Sequence, residues 1–145
     1  FPVGTTTVSV TATDAAGNRA TCSFKVTITY NFSGFFPPVE NPPTYNTVKA
    51  GTSVPVWFSL GGRMGLDIFT PGWPVSGVVA CDSSEEPAVA EPTLQGTTNT
   101  PSYHTVNNRY KYLWKTRAAW AGTCRQFVMR LKDGSTHRAN FKFTK

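Results

Sequence analysis

The chain has 145 residues, of which only 15% are charged, with 14 Lys and Arg against 8 Asp and Glu for a net charge of +6. Sparse charge alongside plentiful Thr, Ser, Gly, Pro and aromatic residues disfavours a helical bundle and suits an all-β extracellular module. No run approaches the ~18–20 consecutive apolar residues of a membrane-spanning helix, and the basic excess permits attraction to anionic polymers while also fitting a plain solvated surface.

The first element is a hairpin over residues 5–29. Val8, Val10 and Ala12 alternate with Thr7, Ser9, Thr11 and Thr13, and Cys22, Phe24, Val26 and Ile28 alternate with Ser23, Lys25, Thr27 and Thr29. Period two marks half-buried strands. Asp14-Ala15-Ala16-Gly17-Asn18 supplies the turn. A lone hairpin is marginal in water, so the pattern predicts a cover for Val8, Val10, Phe24, Val26 and Ile28. Asp14 and Asn18 also offer oxygens to a calcium ion. Two ligands are fewer than the roughly six to eight that calcium takes, and turn formation is the simpler reading; no other cofactor is suggested.

Residues 30–43 read as a stiff Pro- and aromatic-rich linker. Phe32, Phe35 and Phe36 call for burial, either as a wedge between two modules or as the first strand of the second. From residue 44 to 145 short strands recur. Val54, Val56, Phe58 and Leu60 share one face, with Trp57 on the other. Tyr110, Tyr112 and Trp114 lie opposite Lys111, Leu113 and Lys115. A second hairpin turns at Asp133-Gly134, with Phe127, Met129 and Leu131 facing inward on one arm and Ala139, Phe141 and Phe143 on the other. The polar stretch from Asp82 to Ser102 reads as a long surface loop with one edge strand. The fold class predicted is all-β: an immunoglobulin-like antiparallel β-sandwich preceded by a β-hairpin from an incomplete immunoglobulin-like repeat.

"FPVGTTTVSVTATDAAGNRATCSFKVTIT" resembles the C-terminal part of a hyalin repeat, an immunoglobulin-like module of extracellular proteins. That resemblance implies that residue 1 falls inside a repeat. The earlier strands, with a cysteine suited to Cys22, would come from preceding polypeptide or another chain. Residues 30–145 resemble the PxKF-type C-terminal domain of secreted bacterial proteins, carried by "NFSGFFPPVENPPTYNTVKAGTSVPVWFSLGG", "GLDIF", "ACDS", "WKTRAAWAGTCRQFV" and "LKDGSTHRANFKF". Trp57 stands where that family's naming motif has lysine. Neither resemblance implies catalysis.

The secretory context implied by these resemblances favours a Cys81–Cys124 disulfide over two buried free thiols. Cys22 is then left over, either unpaired or paired between chains. Metal-ligand spacing is absent from the sequence. Ser, His and Asp all occur, but no nucleophile elbow, zincin motif or phosphate-cradling loop accompanies them. Glu85, Glu86 and Glu91 read as solvated loop carboxylates, and His104 and His137 as hydrogen-bonded surface groups. Trp57, Trp73 and Trp120 are candidates for stacking on sugar rings or for packing at an interface. Lys111, Lys115, Arg130, Lys132, Arg138 and Lys142 are expected to form one basic face on three neighbouring strands, open to an anionic glycan or wall polymer; nucleic acid is not expected as a partner. The leading functional reading is a non-catalytic structural, adhesion or assembly module at the C-terminus of a secreted or cell-surface protein. The second is a carbohydrate-binding accessory module of a secreted glycan-active enzyme. Three exposed tryptophans on one sheet face would favour the second.

Overall fold

The computed structural model describes residues 2–94 and 99–145. Strands β1 (Gly4–Thr13) and β2 (Arg19–Ile28) form an antiparallel hairpin. The sequence pattern sets its register: Val8 faces Phe24 and Val10 faces Cys22, so every apolar residue falls on one side. The turn is closed by Asp14, whose carboxylate accepts from the Ala16 and Asn18 amides and from the Asn18 side chain, each at 2.9 Å.

The rest of the chain builds two sheets packed as a sandwich. One has four strands in the order β3-β5-β9-β8, comprising β3 (Phe35–Phe36), β5 (Ser53–Phe58), β8 (Ser102–His104) and β9 (Arg109–Lys115). The other has five in the order β4-β11-β10-β6-β7, comprising β4 (Tyr45–Lys49), β6 (Val75–Val79), β7 (Glu91–Pro92), β10 (Cys124–Arg130) and β11 (Thr136–Thr144). Pairing is antiparallel except between β4 and β11. The expected immunoglobulin-like sandwich and leading hairpin are what the chain forms.

Strand alternation places the core as read from the sequence. Val54, Val56 and Phe58 of β5, Tyr110, Tyr112 and Trp114 of β9, Phe127 and Met129 of β10, and Ala139, Phe141 and Phe143 of β11 are all buried. The two layers interlock through Trp114, whose ring lies 5.2 Å from Phe127 and 5.1 Å from Phe141. Aromatic pairs at this separation add about 0.5–1.5 kcal/mol beyond their buried area. The tyrosines of β9 also anchor loops. The Tyr110 hydroxyl accepts from the Met64 amide and donates to the Gly65 carbonyl. Tyr112 bonds Thr93 and Asn99, and burial pushes its hydroxyl up to about 12.

The stretch 30–43, expected as a linker, contributes to the sandwich. Phe35 and Phe36 pair with Phe58 and Trp57, and Phe35 and Val39 are buried in the core. Asn41 secures it by accepting from the Phe35 amide and donating to the Phe35 carbonyl. The long loop is not free either. Gly77 lets it cross β6: a Cβ there would meet Pro87 Cβ and the Val89 carbonyl at 2.3 Å. Part of the expected surface loop, residues 95–98, lies outside the described residues.

Candidate functional site

Cys81 follows β6 and Cys124 opens β10, neighbours in one sheet, and they form a disulfide spanning 43 positions. Cys22 is free and exposed on the hairpin, opposite Val10.

The tryptophans do not share a face. Trp57 is half-buried on the outer side of the four-stranded sheet. Trp73 precedes β6 in the turn Thr70–Trp73, on the other sheet's side of the molecule. Trp120 ends the short 3-10 turn Ala118–Trp120 and packs against Trp114 and Phe143 at 5.8 and 5.5 Å. Its ring is covered by the Arg125 guanidinium at 3.9 Å. The arrangement that would have favoured a tryptophan platform for sugars is therefore not formed: three separate elements carry the three rings.

The six-residue basic face also needs correction. Lys111 and Lys115 lie on β9, whereas Arg130, Arg138 and Lys142 lie on β10 and β11, and Lys132 lies in the turn between those strands. β9 belongs to the four-stranded sheet and β10-β11 to the five-stranded one. Strand alternation alone says which way a side chain points relative to its own sheet, not which sheet that is. In a two-layer sandwich the outward faces of the two sheets point in opposite directions, so the six cannot form one surface.

The two groups also differ in charge balance. Around the five-stranded sheet, Lys132 pairs with Asp67 and Arg138 with Glu86. Arg125, unremarked from the sequence, is buried and pairs with Glu91 at 2.7 Å, with Arg117 at 3.7 Å from the same carboxylate. Burial pulls the Arg125 guanidinium below its ordinary value, and Glu91 opposes that shift. Glu86 and Glu91 are thus ion-pair partners while remaining open to solvent. Arg109, also not singled out, joins Lys111 and Lys115 on β9; its odd position in the strand was the available signal.

No catalytic geometry emerges at the histidines. Ser135 Oγ bonds both the Asp133 carboxylate and His137 Nε2. The chain runs Asp–Ser–His, with serine at the centre, whereas a nucleophile triad needs the histidine there to carry the proton. His137 stacks on Phe32 at 3.6 Å, and Asp133 accepts the Tyr30 amide at 2.9 Å. These groups tie the segment following the hairpin to the β10-β11 turn. His104 bonds Ser102 at 3.1 Å and contacts the Trp57 ring. A cleft of about 510 Å³ lies beside this junction, lined by Phe32, Tyr45, Asp82, Gln126, His137 and Arg138 among others. Its amides serve the fold: Gln126 donates to Asn140, and Asn41 bonds the Phe35 backbone. Asp14 and Asn18 bond each other across their turn, and the described residues hold no cluster of three or more metal-ligating groups.

The apolar side of the hairpin is open among the described residues. Val10 is 47% and Phe24 52% exposed. Residues 1–28 match the HYR domain, the hyalin repeat, an extracellular adhesion-like repeat family without enzymatic activity. No solved structure matches the chain. The match covers β1 and β2 and stops where the sandwich segment begins. An extracellular repeat family, an all-β fold and a disulfide together fit a non-catalytic module of a secreted or cell-surface protein. No helix among the described residues is long and apolar enough to cross a membrane.

Proposed function

We propose that this chain is a structural and assembly module of a secreted or cell-surface protein: a hyalin-type hairpin, completed by strands that are not its own sandwich, followed by a PxKF-type β-sandwich. The uncovered apolar side of β1-β2 carries this reading. Two ten-residue strands present Val8, Val10, Phe24 and Val26 in register on one side, and contiguous apolar surface of this kind marks an interaction site. Strands from preceding polypeptide or from another chain would cover it, as immunoglobulin-like sandwiches cover one sheet with another. The sandwich, in this reading, begins at residue 30, because Phe35 and Val39 belong to its core. Its work is to cap and space, with the Tyr30–Asp133 bond and the Phe32–His137 stack tying the segment that leaves the hairpin to the β10-β11 turn.

Hydrogen exchange on the monomeric 145-residue chain tests this. Amides of β1 and β2 should exchange fast, and those of β10 and β11 should be protected. A hairpin protected as well as β10-β11 in a monomer would mean that the face needs no cover, and the assembly reading would fall.

A further inference from the structure

We propose that the outer face of the four-stranded sheet binds an anionic polysaccharide, through Trp57 and the cations of β9. Cross-strand register builds this face as a ladder: Phe36 lies opposite Trp57, Trp57 opposite Lys111, and Lys111 opposite Ser102. The Arg109 guanidinium sits 3.7 Å from the Phe36 ring centre, and Lys111 Nζ lies 5.4 Å from that of Trp57. The His104 ring meets the other side of the row, 4.8 Å from Trp57. Lys115 extends the cationic line to the end of β9.

Two physical features distinguish this surface from a merely solvated one. First, Arg109 and Lys111 are held by ring faces, not by carboxylates. None of the acidic residues falls on β3, β5, β8 or β9, and the ion pairs among the described residues engage Arg117, Arg125, Lys132 and Arg138 instead. A cation resting on a ring keeps its full charge. A guanidinium so placed also keeps its in-plane N–H groups available for an incoming anion. Second, the surface is the face of a sheet. That shape suits an extended polymer better than a small molecule. Residues two apart on a strand are separated by roughly 6.4–6.8 Å and residues four apart by about twice that, so Arg109, Lys111 and Lys115 present charge in a line, and an occupant should carry anions repeatedly along its length. Apolar ring surface interleaved with those cations matches sugar rings bearing carboxylate or sulfate groups, whose C–H faces pack on the indole while the anions meet the cations.

The test is calorimetric titration of the whole chain with heparin, neutral dextran and a short DNA duplex, at low and at physiological ionic strength. Heparin should bind and dextran should not, with affinity falling as the Debye length shrinks from ~10 Å at 0.1 M salt. Lys111→Glu with Lys115→Glu should weaken heparin binding by about tenfold or more. Arg130→Glu with Lys142→Glu, of identical net charge but on the opposite sheet, should leave it unchanged. Trp57→Leu, with an unaltered circular dichroism spectrum, should weaken it as well. Three outcomes overturn the proposal: no heat with heparin at low salt, equal loss in the two charge-reversed variants, or duplex DNA binding as tightly as heparin. If Trp57→Leu does not fold, the paired charge reversals still decide.

Discussion

The molecule contains two antiparallel hairpins built to the same pattern. β1-β2 turns at Asp14–Asn18 and β10-β11 at Asp133-Gly134, and each alternates apolar and polar residues with period two. Their fates differ. Phe127, Met129, Ala139 and Phe141 are fully buried, while Phe24 and Val10 are about half exposed. What separates them is the opposing layer: β5 and β9 bring Phe58, Tyr112 and Trp114 over β10-β11, and nothing among the described residues does the same for β1-β2. Alternation defines a face; it does not supply the cover. Register is strongly specified wherever one face is buried, and in β1-β2 the turn at Asp14–Asn18 fixes it without a cover.

The sharpest way to break this comparison is to truncate one aromatic in each hairpin's neighbourhood. Trp114→Ala removes the ring that joins both layers and should cost about 3–5 kcal/mol. Phe24→Ala, by contrast, should stay within about 0.5 kcal/mol. Urea denaturation monitored by fluorescence gives both values, and similar losses would mean that the hairpin is covered in the isolated chain.

The next effect is the disulfide. Replacing Cys81 and Cys124 by Ser opens a loop of 43 positions and should destabilise the sandwich by about 3–4 kcal/mol on the chain-entropy account. Cys22→Ser should leave the melting temperature unchanged. Alkylation of the unfolded, unreduced protein should modify one thiol by mass spectrometry; three would refute the bridge.

Glycines sharpen the contrast further. Gly77→Ala places a methyl group 2.3 Å from the Val89 carbonyl and Pro87, and should cost about 1–3 kcal/mol by overpacking. Gly17 has φ +83° with nothing within 4 Å, so Gly17→Ala carries only left-handed strain of roughly 1–2 kcal/mol. That strain should loosen the turn of β1-β2 and leave the sandwich's denaturation midpoint in place.

The smallest expected effect is a pH dependence at the junction. Burial lowers the His137 pKa from 6.5, with Asp133 partly opposing. The unfolded chain therefore binds a proton more readily, so this contribution is full above pH 6.5 and declines as pH falls toward the lower folded value. Burial of Asp133 opposes its charge, yet bonds from Ser135 and Tyr30 hold the carboxyl below 3.8. Its contribution is present above that value and is lost as pH falls through the still lower folded one. His137→Phe keeps a ring against Phe32 and should abolish the decline just below pH 6.5 in melting experiments. An unchanged decline would place the titration elsewhere.

The sequence by itself determined the strands, their inward residues and the turns, because period two and turn chemistry are local properties of the chain. Val54, Val56 and Phe58, or Phe127 and Met129, could be assigned to the core without knowing what they would meet. The tertiary structure alone decided how strands share sheets. It sent β9 to one layer and β10-β11 to the other, dividing the basic residues that alternation had placed together. It chose, of the two roles open to Phe35 and Phe36, the first strand of the sandwich, because the edge of β5 offers them backbone partners. It also paired Arg125 and Arg138 with Glu91 and Glu86, while leaving Arg109 and Lys111 on aromatic faces. Charge pairing depends on groups tens of residues apart meeting in space, and a one-dimensional pattern carries no record of that.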